Sequence, residues 1–262
     1  MVKAARRASQ IINRASHDIE HLKITTKQQS DYVTEVDKAA EAAIIDVLRE
    51  AYPDYGILAE ESEPIPGKDD GADYQWVIDP LDGTTNFIHG FPQYAVSIGL
   101  TYKGQLNQAV VYDVTRNEMF TASKGGGAFL NERRIRVTKC LKLEDALLGT
   151  GFPYREFKNI NAYMGIFKEF TQRSSGMRRA GSAALDLAYV ACGRLDGFWE
   201  FGLAPWDMAA GALLITEAGG LVGDLSGGET YMKSGHVVAG TPKVFAQMLQ
   251  VIDGHRTAAL DA

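Results

Sequence analysis

The stretch WVIDPLDGTTNF, residues 76–87, decides how the rest of the chain is read. Trp76-Val77-Ile78 has the apolar character of a buried strand. It delivers Asp79 to the carboxyl end of that strand, where ligand sites are commonly built. Pro80 is expected to stop the strand and turn the chain, so that Asp82, three residues on, faces the same small volume as Asp79. Two like charges held close repel, and a site built that way is usually neutralised by a cation. Gly83 allows close backbone approach, and Thr84 supplies a hydroxyl and an N–H. A helix beginning there would aim its free N–H groups at an anion. The segment can thus hold a divalent cation and a phosphate side by side. Taken alone, DPLDG also reads as turn residues and an N-cap; its weight comes from acids elsewhere in matching surroundings.

Glu60-Glu61 end an apolar strand, Ile57-Leu58-Ala59, as Asp79 ends its own. Asp207 follows Trp206 at the start of a helix with apolar positions Met208, Ala209, Ala212, Leu213 and Ile215; by itself it reads as an N-cap. Asp37, in VTEVD (33–37), is placed to cap a helix whose apolar stripe runs from Ala39 to Ala51. Carboxylates without His or Cys neighbours favour Mg²⁺ or Mn²⁺ over zinc, and the five histidines form no zinc spacing. There is no GxxxxGK[ST] motif, Gly125-Gly126-Gly127 reads as a tight turn, and Ser97 and Ser182 have no paired base in a recognisable motif.

Outward from these acids, the chain alternates in character. Ala4, Ala5, Ala8, Ile11, Ile12, Ala15 and Ile19 give one buried helical stripe. Residues 64–73 form a polar loop. From Ala95 to Val137, alternating apolar positions and turns at Lys103-Gly104, Arg116-Asn117 and Asn131-Glu132 predict an antiparallel meander. A second lobe begins at Leu147, with helices near 162–172, 183–193, 207–218 and 243–252 and strands near 196–201, 221–224 and 236–240. Phe198-Trp199 and Tyr189 read as core. The expectation is one domain, 1–262, an α+β layered sandwich with lobes of about 1–145 and 146–262.

The chain has 262 residues, 45% hydrophobic and 23% charged, enough to bury a sizeable core without staples. Its 33 acids against 27 bases give a net charge of −6, which argues against general nucleic-acid binding. Arg133, Arg134, Arg136 and Lys139 form one basic cluster and Arg173, Arg178 and Arg179 another; both read first as solvated faces or subunit contacts. Two isolated cysteines, Cys140 and Cys192, fit a reducing compartment. No window is apolar enough to span a membrane. A cytoplasmic protein without membrane contact is expected. The Arg-rich start shares features with a transit peptide, but its helical periodicity argues for folded structure.

DPLDGTTNF (79–87) together with PWDMAAGALLITEAGG (205–220) resembles the two defining motifs of the inositol monophosphatase family. YVTEVDKAAE (32–41), GSAALDLAYVACGRLDGFWEFGL (181–203) and VVAG (237–240) resemble its bacterial SuhB branch. The resemblance covers roughly residues 4–252. It implies the α/β/α/β/α sandwich of the sugar phosphatases and a Mg²⁺-dependent, lithium-sensitive phosphatase with two or three ions per subunit. Glu60 and Asp79, with the Leu81 carbonyl, would hold one metal. Asp79, Asp82 and Asp207 would hold a second, and Glu60 would help a weaker third. The Gly83 and Thr84 N–H groups would bind phosphate, while Thr84 and Asp37 would orient or deprotonate the attacking water. Glu200, the Ala183 backbone and Asp82 would contact substrate hydroxyls.

GTGFPYRE (149–156) stands where animal relatives carry a serine-containing substrate loop, so that contact is not carried over. The chain also opens close to its first helix, without the longer leader common in the branch, which predicts shortened N-terminal packing. No insertion for a bisphosphate arm is evident, which favours a small phosphorylated polyol such as inositol 1-phosphate. The resemblance further implies a homodimer. It also carries a second role, as a partner of RNA polymerase or antitermination factors in ribosomal RNA transcription.

Overall fold

The alanine and isoleucine stripe of the N-terminal segment packs as its spacing predicts as far as Ala15, while Ile19 lies beyond the helix in a 3-10 turn. In the computed structural model, which describes residues 1–21, 24–28, 31–154 and 157–257, helix α1 (Val2–Ala15) buries Ala4, Ala5, Ala8 and Ile12. The Arg-rich start is therefore part of a packed helix. A short antiparallel hairpin of β1 (Ile24–Gln28) and β2 (Asp31–Thr34) leads into helix α2 (Glu35–Ala51). This helix starts one turn before its apolar stripe because Thr34 and Asp37 form a capping box. Ala40, Ile44 and Leu48 of α2 share one core cluster with α1.

Strand β3 (Gly56–Ala59) runs parallel to β4 (Tyr74–Asp82). After the short helix α3 (Thr84–Ile88), the chain folds back as β5 (Ala95–Tyr102), β6 (Gln105–Asp113), β7 (Glu118–Ser123), β8 (Gly127–Leu130) and β9 (Arg133–Arg134). Among the described residues these form a seven-stranded sheet in the order β3-β4-β5-β6-β7-β8-β9, and the expected meander is its antiparallel part. Lys103, Asn117, Asn131 and Glu132 at the expected turns all have positive φ.

The expectation that Pro80 stops the strand is corrected. Asp79 pairs with Ser97 and Asp82 with Ala95, so three steps along β4 match two along β5. That is a β-bulge, and it accommodates a proline that has no N–H to give the ladder. In a regular strand, residues three apart point to opposite faces. The extra residue restores the parity, and this is what brings Asp79 and Asp82 to one side.

The second half opens with β10 (Leu147–Thr150), the start read for the second lobe. There follow helix α4 (Ile160–Arg173), β11 (Gly176–Arg178), helix α5 (Ala183–Ala191), β12 (Gly197–Glu200) and helix α6 (Pro205–Glu217). The chain continues through β13 (Leu221–Gly223), helix α7 (Tyr231–Ser234), β14 (Val237–Gly240) and helix α8 (Pro242–Asp253). The second sheet has the order β11-β10-β12-β14-β13, with both neighbours of β10 parallel to it. Phe198 and Trp199 of β12 are fully buried core, as expected.

Three core clusters define the layers. One joins α1 and α2 to the first sheet. A second joins that sheet, through α5 and α6, to β12 and β14. The third packs α4 and α8 on the far side of the second sheet. The result is the α/β/α/β/α order. Helix α6 is buried from Met208 through Ile215 rather than on one stripe, because it lies between two sheets. Among the described residues no helix is long and apolar enough to cross a membrane.

The middle layer depends on one close approach. A Cβ on Gly211 of α6 would lie 2.5 Å from the Leu187 Cβ of α5. Alanine is intrinsically better in a helix by about 1 kcal/mol, but overpacking a tight core costs about 1–3 kcal/mol. Gly211→Ala is expected to lower the melting temperature by several degrees in a thermal denaturation scan.

Candidate active site

The acidic residues singled out in sequence converge at one end of the two sheets. The bulge leaves Asp79 buried, with its Oδ1 accepting the Leu81 N–H at 2.9 Å. Asp82, on the same side, accepts the Ser182 hydroxyl at 2.6 Å and the Ala184 N–H at 2.8 Å. Asp207 is not the N-cap of α6. It is the third residue of the helix, and its carboxylate accepts the Ala204 N–H at 2.7 Å. The carboxylates of Asp79, Asp82 and Asp207 each offer an oxygen, all within 4.8 Å of one another. Glu60, just past β3, lines the same cleft.

Such a cluster is electrostatically costly without a counterion. Burial, followed by the charges of Glu60, Asp82 and Asp207, pushes the Asp79 carboxyl well above the usual carboxylate range. The donor set is all oxygen, with the Leu81 carbonyl also lining the cleft. That suits a hard divalent cation such as Mg²⁺ or Mn²⁺ rather than zinc.

Gly83 is the N-cap of α3 and has φ 97°, a left-handed conformation that favours glycine. A Cβ there would also lie 2.9 Å from the Gln93 carbonyl oxygen. Thr84 follows, with its Oγ 2.8 Å from Asp37 Oδ1 and 3.1 Å from the Leu81 carbonyl oxygen. Asp37 is fully buried, and its other oxygen, Oδ2, accepts the Thr34 N–H at 2.8 Å and the Thr34 hydroxyl. Asp37 therefore stands behind Thr84 and outside the cleft lining.

The cleft, about 500 Å³, is lined by Glu60, Asp79, Leu81, Asp82, Gly83, Thr84, Ala183, Glu200 and Asp207. Of the residues proposed from sequence, Asp37 is the one set back from it. The loop after β10 contributes Gly151, Phe152, Pro153 and Tyr154 to the wall; Arg155 and Glu156 of the 149–156 stretch lie outside the described residues.

Several cleft residues have places that the sequence reading does not give them. Ser182, set aside as a hydrolase nucleophile, is buried and holds Asp82. Asp186 lines the wall, and so does Arg179, which the sequence reading puts in a basic cluster on a solvated face or subunit contact. Burial, with the charge of Asp82 behind it, raises the Asp186 carboxyl well above its ordinary range, while Arg179 opposes the shift. Glu200 is raised well above its range by desolvation first and then by Asp186 and Asp207. Asn86 donates through Nδ2 to the carbonyls of Gln93 at 2.7 Å and Ala180 at 2.9 Å, tying α3 to the loop before α5. The available signal was the spacing in GSAALD (181–186), which sets Ser182 and Asp186 one helical turn apart.

Comparison with known proteins gives the family and the fold. The sequence profile described as "Inositol monophosphatase family" matches residues 1–255. The chain is 53% identical over 261 residues to a Pseudomonas aeruginosa protein named "Nus factor SuhB", covering 99% of this chain and 96% of that one. It is 50% identical to the Escherichia coli K12 protein of the same name, covering 95% and 92%. Among solved structures, the extragenic suppressor protein suhB from Bartonella henselae superposes with a TM-score of 0.93 at 42% identity, covering 96% of each chain. An inositol monophosphatase from Anabaena superposes at 0.85 with 36% identity, covering 98% and 95%. With this fold, this acidic cleft and a match over almost its whole length, the chain belongs to the inositol monophosphatase family.

Proposed function

We propose that the protein is a Mg²⁺-dependent phosphomonoesterase that hydrolyses inositol 1-phosphate or a similar small polyol phosphate. The observation that carries this reading is the trio Asp79, Asp82 and Asp207, gathered within 4.8 Å from segments more than a hundred residues apart. In it, Glu60, Asp79 and the Leu81 carbonyl hold one cation. Asp79, Asp82 and Asp207 hold a second, and Glu60 helps a weaker third. Bound there, the cations supply an activated water and neutralise the charge that develops on phosphate and leaving oxygen.

The chain's own groups do the rest. With its hydroxyl proton directed at Asp37 Oδ1, Thr84 Oγ turns a lone pair to the cleft, where it accepts a hydrogen bond from the attacking water and orients it. Asp37, whose two oxygens already accept three bonds, acts through Thr84. The Gly83 and Thr84 N–H groups receive the phosphate, and the Asn86 bonds keep that corner in register with the loop before α5. Ser182 and the Ala184 N–H fix the Asp82 carboxylate in rotation. Glu200 and the Ala183 backbone, both in the cleft wall, contact hydroxyls of the leaving alcohol.

A second reading is supported by the relatives named Nus factor SuhB, at 50–53% identity over nearly the whole chain. In it, the protein works in the cytoplasm as a homodimer that binds RNA polymerase or antitermination factors. The exposed basic side chains Arg133, Arg134 and Arg136 suit a protein-contact face. Exposed Tyr154, Phe157 and Met164 suit a subunit contact. The two readings are compatible in one chain.

Removing the metal with EDTA is expected to abolish hydrolysis of inositol 1-phosphate, and Mg²⁺ to restore it. Asp79→Asn is expected to lower kcat by more than about 100-fold, beyond the effect of losing an outer hydrogen-bond partner, while the circular dichroism spectrum is retained. Full activity without divalent cations ends the enzymatic reading.

Because Asp79, Asp186 and Glu200 have raised carboxyl pKa values in the fold, the metal-free folded protein binds more protons than the unfolded chain from about pH 4 upward. Its stability therefore falls as pH rises through that window. Thermal scans of the EDTA-treated protein should show a lower melting temperature near pH 8 than near pH 5, with Mg²⁺ adding more at pH 8. A Mg²⁺ effect independent of pH counts against the charged cluster as the binding site.

For the second reading, the light-scattering mass should be twice 28.6 kDa. An Asp82→Asn variant should still retain RNA polymerase or antitermination factors in a pull-down with those purified proteins. A monomer, or loss of the pull-down with wild type and variant alike, removes this reading.

A further inference from the structure

Two acidic side chains in the cleft wall have no hydrogen-bond donor among the described residues. Asp186, in the first turn of α5, is 2% exposed, and Glu200, at the end of β12, is half-buried. Both line the cleft, and neither accepts a hydrogen bond from any described residue. Both lie against the end of β10. A Cβ on Gly149 would be 3.6 Å from the Asp186 Cγ, and one on Gly151 only 1.9 Å from the Glu200 Oε1. The opposite charge acting on both carboxyls is that of Arg179, whose guanidinium lies over the rings of Phe152 and Tyr154 at 5.5 and 5.1 Å.

A buried carboxyl without a donor destabilises the fold that holds it. Asp186 gives the protein no bond in return, so its partner comes from what enters the cleft. Phosphate is repelled by it. An ammonium group would meet the Arg179 guanidinium and the cation-holding cluster in the same small space. A neutral alcohol has no such conflict, because a hydroxyl donates to a carboxylate and still accepts from a neighbour.

We propose that Asp186 reads a second hydroxyl of the leaving alcohol, beside the one read by Glu200. The substrate class is then a neutral polyol monophosphate with at least two free hydroxyls within reach of the β10 end. This rests on the phosphatase reading above. A site built to hydrogen-bond a hydroxyl rejects the analogue that lacks it, far more strongly than a hydrophobic pocket rejects an extra one.

The test compares kcat/KM on inositol 1-phosphate with kcat/KM on cyclohexyl phosphate, which has the ring but no hydroxyls. In Asp186→Ala the ratio should fall at least tenfold from its wild-type value, and Asp186→Asn, which keeps one acceptor oxygen, should recover part of it. The melting temperature of Asp186→Asn should be at or above that of the wild type, since a repelled buried charge has been removed. If Asp186→Ala does not fold, Asp186→Leu, which fills the space without an acceptor, takes its place. A ratio within twofold of wild type overturns the proposal, as does a wild type that prefers 2-aminoethyl phosphate to inositol 1-phosphate. If the wild type hydrolyses neither ester with Mg²⁺, the phosphatase reading fails separately. Calorimetric titration with inositol 1-phosphate and Mg²⁺ then decides: binding at least tenfold weaker in the variant supports the role of Asp186, and unchanged binding overturns it.

Discussion

Mutual repulsion among carboxylates is the constraint around which this molecule is arranged. Asp79 is buried next to Asp82, Asp207 and Glu60, and nothing in the apolar core rewards that placement. The acids are held there by structure built for other reasons: a strand end, a bulge, and the first turn of a helix wedged between two sheets. Asp79 accepts a backbone N–H, Asp82 a hydroxyl and a backbone N–H, and Asp207 a backbone N–H, and these bonds aim the three carboxylates. Carboxylates gathered this closely concentrate negative charge, which is the condition a hard cation requires. Stability given up at the site is supplied by the three packed clusters behind it.

The layered order explains how distant segments meet. Asp79 and Asp82 come from the first sheet and Glu60 from just past its strand β3, while Asp207 lies in the first turn of the helix that fills the space between the sheets. Glu200 ends a strand of the second sheet. The cleft therefore lies across the junction of both halves. Its geometry depends on the middle layer, where Gly211 lets α6 approach α5 closely, and on Asn86, which ties the turn after β4 to the loop before α5.

Much of this was legible in sequence. Helical and strand periodicities located the elements, and the turn residues of the meander fell at their expected positions. The acids at strand ends and helix starts announced the site. Pro80 was misread because proline usually ends a strand; the bulge that absorbs it depends on pairing with β5, which a linear pattern does not contain. Asp207, expected at the site, reads by itself as an N-cap, since an acid in the first turn of a helix serves equally at the cap or at the third position, where the structure has it. Asp186 goes unremarked and Ser182 is set aside because in sequence they are an ordinary helix start. Their meaning comes from the walls they face, and those walls include residues a hundred or more positions away.

Asp37 closes the start of α2 through Thr34 and at the same time anchors the Thr84 hydroxyl. One carboxylate thus serves the folding of the N-terminal layer and the alignment of a group in the cleft. Any change that weakens it is felt in both places at once. Selection acting on either property is therefore bound to the other, and this position has less freedom to drift than its distance from the cleft surface would suggest.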